Sequence, residues 1–331
     1  MMKIKKITFG GISFDIKNFY NKYGILCVMV LMFVIASFIS PVFLTSTNLI
    51  NVLTQISVVT IVAAGMTMLI ISGTTDLSAG SVVALAGCLC VGTCKNLIAS
   101  GMGTVPAAFI GILVAVVIAA MCNVSSAVII TKFEAPPFIV TLAMMQIARG
   151  LVYIYTNGQQ IYDIGNVAII GQGRIGFIPY SVLIMLAVLI ISWIILNKLR
   201  FGRYLYAVGG NIEAAIASGI RTSPVIIKSF LIHGVFVGIA GILYMTRLNS
   251  GQPAEAVGLE FDAIIAAIVG GTSFSGGIGT ITGTICGCVI IGILNNILNL
   301  MFVQSYYQQV IKGLIIVTAV ILDIKTKVKK N

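Results

Sequence analysis

The sequence predicts an all-α integral membrane protein of about ten transmembrane helices. Charged residues make up 9% of the chain and hydrophobic residues 59%, whereas a soluble domain carries about 25% charge. Apolar segments, most of them near the ~20 residues needed to cross a bilayer, alternate with short polar connectors. The cations gather at the flanks of those segments, at Lys3/Lys5/Lys6, Lys17/Lys22, Lys198–Arg203 and Lys325–Lys330, as an orientation signal does. The net charge of +11 is therefore a membrane-flank charge, with attraction to anionic headgroups as a secondary effect. It does not point to nucleic acid.

In chain order, the first 22 residues are basic and mixed and read as a cytoplasmic N-terminal segment. Tyr23–Ser40 is a first span, stopped by Pro41. Its leader is long and no small-x-small site follows, so it reads as a retained helix rather than a cleaved signal. Asn48–Ile71 is the second span, followed by a turn at Ser72–Asp76 and a third span from about Leu77 to Ile98. Val105–Ile130, Pro136–Tyr155 and Ile178–Leu196 come next; after a polar island follow Val225–Thr246, Gly258–Val269, Gly279–Met301 and Tyr306–Leu322. The eighth, before Gly270-Gly271, is the shortest and reads as tilted or broken. A permease-like domain over 23–322 thus precedes a basic tail, 323–331. With both termini cytoplasmic, the turns at Asp76, Lys132–Glu134, the island and Gly270–Ile278 fall inside, and inside then holds most of the cations.

An inverted repeat is expected from a faint internal likeness. Ala64-Gly65 precedes Ser72-Gly73 as Ala240-Gly241 precedes Ser250-Gly251, on spans of opposite direction. The 35 glycines imply close helix approach, since association in lipid relies on small residues. Cysteines 27, 88, 90, 94, 122, 286 and 288 lie in apolar runs. They read as small packing residues, and no metal site is expected. No Gly-Lys dipeptide occurs, so there is no P-loop; any ATP and Mg would be bound on another chain.

The island Phe201–Arg221 is framed by Lys198, Arg200, Arg203 and Arg221 and faces the cytoplasm. Within it Asn211–Gly219 predicts a very short helix: Asn211 caps it, Glu213 sits in the first turn, and Gly219 closes it. Ala214, Ala215, Ala217 and Ser218 give it a small face without large apolar anchors. It is either a connector or a helix that seats in a groove of another protein. The stretch GGNIEAAIASGI (Gly209–Ile220) resembles the cytoplasmic coupling segment of ribose-type (simple-sugar) permeases of ABC importers, in the branched-chain/ribose transporter permease superfamily. The resemblance extends to DLSAGS (Asp76, Leu77, Ser78, Gly80 and Ser81 with Ala79), although Thr74-Thr75 stand where that family more often has glycine and an aliphatic residue. It continues through APPFIVTLAMMQIARGLVY from Ala135, FDAIIAAIVGGTSFSGGIGT from Phe261, NNILNLM and YYQQVIKGLII. From about Asn48 to Ile316 it covers nearly the whole chain. It implies a ten-helix cell-membrane permease without a cofactor or ATPase site of its own. Such a permease pairs with a second copy and docks ATP-binding subunits through Gly210, Asn211, Glu213, Ala214, Ala215, Ser218 and Gly219. Sugar reaches it from an extracytoplasmic binding protein.

Ionisable residues within spans are Arg149, His233, Asp262 and Lys312. A charge network at the outer mouth and a structural or snorkelling role both remain open for Arg149, Asp262 and Lys312. His233 reads as a hydrogen-bonded core residue, with no acid in its own span. Asn51 with Gln55, and Asn295 with Asn299, each share a helix face; they either line a hydrated path or bond neighbouring helices. Arg247 and Glu255, just beyond the seventh span, are candidates for contact with the binding protein. The expected cargo is a monosaccharide such as ribose, galactose or xylose, with a nucleoside or furanone-type signal as the alternative. An ion-coupled secondary transporter would need a midplane carboxylate or a paired titratable site, which the sequence does not reveal. A channel would need a filter of carbonyls or charges, and none is evident.

Overall fold

The computed structural model describes residues 7–9, 12–14 and 16–328, with side chains over 24–318 and at 321. The cations at positions 3, 5 and 6 and the last three residues of the basic tail lie outside the described residues. A two-stranded hairpin, β1 (Ile7–Phe9) and β2 (Ile12–Phe14), precedes α1 (Ile16–Ile39). Pro41 stops α1, and Thr45 caps α2 (Ser46–Ile71) by accepting from Asn48 N. Then come α3 (Ala79–Ala99), α4 (Thr104–Lys132) and α5 (Pro137–Thr156), the last opened by Pro136-Pro137. A 3-10 turn, the one-turn α6 (Ile169–Gln172) and the hairpin β3 (Arg174–Ile175), β4 (Ile178–Pro179) lead into α7 (Tyr180–Asn197). The island holds α8 (Arg200–Gly210) and α9 (Ile212–Ala217). The chain ends with α10 (Thr222–Leu248), α11 (Leu259–Val269), α12 (Ile281–Leu300) and α13 (Ser305–Val328).

Among the described residues, seven helices (α2, α3, α4, α5, α7, α10 and α12) are long and apolar enough to cross a membrane, which makes this an integral membrane protein. α1 contributes a shorter apolar stretch, Gly24–Ile39. α11, with 11 residues, is about 16 Å long, half of a ~30 Å hydrocarbon core.

α2 runs through the centre, with 89% of its apolar window buried against 22% for α4. α10 packs on α2, α3 and α4. Small residues set these distances. Gly241 of α10 lies against the Val83 carbonyl and Gly87 of α3, and a Cβ there has no room. At one end of the bundle, Gly277 N donates to the Ile71 carbonyl at 2.9 Å, Gly209 rests on the same carbonyl, and Tyr206 OH donates to Gly279 O at 2.8 Å. The last turn of α2 is thus clamped between α8 and the 270–280 turn. Burial there also raises the Tyr206 pKa.

Two connectors do not behave as surface turns. After α2, residues 72–78 fold back into the bundle, where Asp76 meets His233. His233 lies 11 residues into α10, or about 17 Å from its start. The segment leaves the clamped end of α2 and turns inward, so that Asp76 is 0% exposed. From the opposite end, the segment after α10 pairs with Ile161 through Gly251 and then runs inward until Ala256 and Glu260 abut Gly80. α3 and α11 both start where these segments meet. Non-helical backbone at such depth is tolerated where it is buried in protein.

Candidate functional site

The family-like turn builds the first part of the site. Asp76 stands two residues before the N-cap of α3. Its Oδ1 accepts from Ser78 N at 2.7 Å and Ser78 Oγ at 2.6 Å, and Ser78 is the helix N-cap. Its Oδ2 lies 3.1 Å from His233 Nε2, so three donors surround the carboxylate. Leu77 packs against the core, and Gly80 gives Glu260 its approach to the start of α3, a favourable place for a carboxylate. Ser81 Oγ accepts from Arg149 Nε at 3.3 Å. Arg149 Nη1 also donates to the carbonyls of Pro253 and Glu255, at 2.6 and 2.9 Å. Arg149 therefore ties α5 to the first turn of α3 and to the segment after α10. Sequence missed the Asp76–His233 pair because its members are 157 residues apart.

Beside this crossing lies a cavity of about 130 Å³ between α2, α10, α11 and α12, lined by Gln55, Tyr244, Arg247, Asp262 and Asn295 among others. It shares Gln55 and Arg247 with a wider vestibule of about 660 Å³, which also takes in Asn51, Thr54, Gln172 and Arg174. Asn51 and Gln55 thus line the vestibule, and Gln55 and Asn295 the neighbouring cavity. Asn299 does not join them: it is exposed, and its Oδ1 accepts from Gln308 Nε2 at 2.9 Å. A second amide contact escaped the sequence reading, the reciprocal pair Asn48–Asn296 at 3.1 and 2.9 Å.

Arg247 and Glu255 are placed deeper than a rim. Tyr244 OH donates to Glu255 Oε2 at 2.8 Å, and the Arg247 guanidinium stands 5.6 Å from the Tyr244 ring centroid. Asp262 is held by Lys312 at 2.8 Å, a structural pair that also forms part of the cavity wall.

At the clamped end, Asn211 Oδ1 accepts from Ala214 N at 2.9 Å, Glu213 sits in the first turn, and Gly219 has φ +81°. The local grammar follows the sequence. The faces do not. Ala215 is 4% exposed and buried in its own chain, so its small size serves internal packing. The exposed side carries Glu213, Ala214 and Ser218 together with Ile212 and Ile216, 47% and 57% exposed. These two isoleucines, one turn apart, are large exposed apolar side chains that the sequence reading overlooked. Gly210 is exposed at the junction of α8 and α9. A groove of about 800 Å³ lies alongside, walled by Tyr204, Gly219, Ile220, Arg221 and Lys228.

Residues 48–320 match a family described as "Branched-chain amino acid transport system / permease component". The ribose import permease protein RbsC of Bacillus subtilis (strain 168) is 38% identical over 324 residues, 97% of this chain and 96% of its own. The D-allose transport system permease protein AlsC of Escherichia coli (strain K12) is 35% identical over 313 residues, 94% of each chain. The galactose/methyl galactoside import permease protein MglC of Escherichia coli (strain K12) is 36% identical over 323 residues, 92% of this chain and 95% of its own. No solved structure matches the chain. With a family match across most of its length and relatives of this identity, the chain belongs to the branched-chain amino acid transport system permease family and is similar to its sugar import permeases.

Proposed function

We propose that this chain is the membrane-spanning subunit of an ABC importer that carries a monosaccharide, ribose before allose or galactose. The observation that carries the reading is the polar hollow: a wide vestibule and a smaller cavity share Gln55 and Arg247 in their walls, and the cavity is bounded by Ala256 and Val257 of the segment after α10. ATP hydrolysis belongs to partner subunits seated on α9, and a binding protein delivers sugar at the vestibule. A second copy of the permease or a close homologue completes the pathway in the cell membrane.

Ten spans in an inverted repeat accord with the chain path. α2 and α10 are each followed within two residues by Ser-Gly, at Ser72-Gly73 and Ser250-Gly251, then by an inward-running segment and a helix that starts in the interior. α1, α11 and α13 raise seven clear spans toward ten. Both termini then lie in the cytoplasm with α9. A cysteine placed at position 331 is expected to resist an impermeant thiol reagent in intact cells; its labelling would reverse the orientation.

The purified chain is expected to hydrolyse no ATP, because it has no P-loop. Appreciable activity in a preparation free of other subunits would refute that division of labour.

A second reading gains support from one observation. The buried Asp76–His233 pair is the kind of titratable couple that an ion-driven transporter uses. The family relationship favours ATP. The two are separated by uptake in cells treated with a protonophore while ATP is maintained: uptake persists under the importer reading and collapses under the ion-coupled one.

A further inference from the structure

The cavity between α2, α10, α11 and α12 has a specific chemistry. Asn295 is 7% exposed, stands within hydrogen-bonding reach of Asp262, and leaves its Oδ1 buried without a partner. A buried amide oxygen that finds no donor in its own chain accepts readily from a hydroxyl that enters. Arg247 and Gln55 add donors to the same lining. The carboxylates around the cavity are engaged within the protein. Lys312 lies 2.8 and 2.9 Å from the two Asp262 oxygens, and Tyr244 bridges the Glu255 carboxylate and the Arg247 guanidinium. With both carboxylates engaged, a cation finds no free counter-charge, while the Arg247 guanidinium, over the Tyr244 ring and in no ion pair among the described residues, is left to donate to hydroxyls. Ile56 and Ile291 supply apolar wall on the α2 and α12 sides, which suits the C–H face of a ring.

We propose that this cavity is a transient subsite for a neutral polyhydroxylated solute, with Asn295 Oδ1 accepting from one hydroxyl and Arg247 and Gln55 donating to others. The proposal rests on the permease reading and deepens it by placing a contact point along the path. One unpartnered acceptor and a few shared donors make a weak site, as passage requires: a solute held tightly would not leave.

The test is saturation-transfer NMR on the full chain in nanodiscs, without ATPase or binding protein, with D-ribose, D-xylose and D-galactose offered in turn. Transfer to at least one sugar is expected in the wild type. Asn295→Leu is expected to weaken that binding about tenfold, the worth of one hydrogen bond. Asn295→Ser, which retains a small acceptor, recovers part of it. If Asn295→Leu cannot be purified, Gln55→Leu carries the same comparison. A wild type without transfer from any of the three sugars, or variants with unchanged transfer, overturns the subsite. Uptake by the wild-type chain with its ATPase and binding protein is measured separately. Uptake without saturation transfer sinks the subsite alone, whereas no uptake of any sugar by the assembled complex sinks the permease reading.

Discussion

Asp76→Ala is expected to be the most damaging single substitution in the membrane interior. The change removes the acceptor for Ser78 N, Ser78 Oγ and His233 Nε2 at once, in a place with no exposure to solvent. Breaking a buried pair by deleting one partner costs about 3–5 kcal/mol, a large share of a stability of roughly 5–15 kcal/mol. Asp76→Asn retains one acceptor and most of the shape, and should cost less. The measurement is the melting temperature of the purified chain in detergent, with the His233→Leu single and the double variant to close a cycle. A strong coupling term identifies the pair as the tie between the start of α3 and the middle of α10. Independent, additive effects would mean that the two side chains merely lie side by side. Transport should fall with stability here, because α3 and α11 begin at this crossing.

Ile216→Asp is expected to weaken association with the ATPase sharply while leaving the permease folded. Ile212 and Ile216 are half exposed on a helix of a connector, and burial of such a side chain is worth about 1.5–3 kcal/mol. A charge at the centre of that contact adds desolvation cost, so loss of about 2 kcal/mol or more is reasonable for an anchor, a roughly 30-fold drop in affinity. Ala214→Trp, on the exposed face, should act likewise by overpacking. Ala215→Trp is a different experiment: Ala215 is buried beneath the helix, and the substitution should destabilise the chain before any partner meets it. Pull-down of the ATPase, scored against permease in the membrane, separates these cases. Retained pull-down with Ile216→Asp would leave α9 as a plain connector.

Span positions were legible in the sequence to within a few residues, because proline and capping residues mark their ends. Pro41 closes α1, Pro136-Pro137 open α5, and Asn211 and Gly219 bracket α9. α8 was not marked: Gly202, Gly209 and Gly210 lower its helix propensity, and burial of Leu205 and Val208 against the bundle overrides them. The interior course of residues 72–78 and 252–257 was also hidden. Both segments read as ordinary turns by composition, and only contacts across the fold, Asp76 to His233 and Gly80 to Ala256, draw them inward. The same limit applies to the path. Equal spacing put Asn295 and Asn299 on one face, but one faces the cavity and the other reaches Gln308 at the helix end.

The central claim, that the chain passes sugar through its polar hollow at the expense of ATP bound elsewhere, is tested most directly in proteoliposomes. The permease is reconstituted with its ATP-binding subunit, ATP is enclosed on the ATPase side, and the sugar-loaded binding protein is added at the vestibule side. Accumulation of labelled ribose that requires ATP and the binding protein, and that Ile216→Asp sharply reduces, is the predicted result. Accumulation that proceeds without ATP and follows an imposed proton gradient would contradict the account.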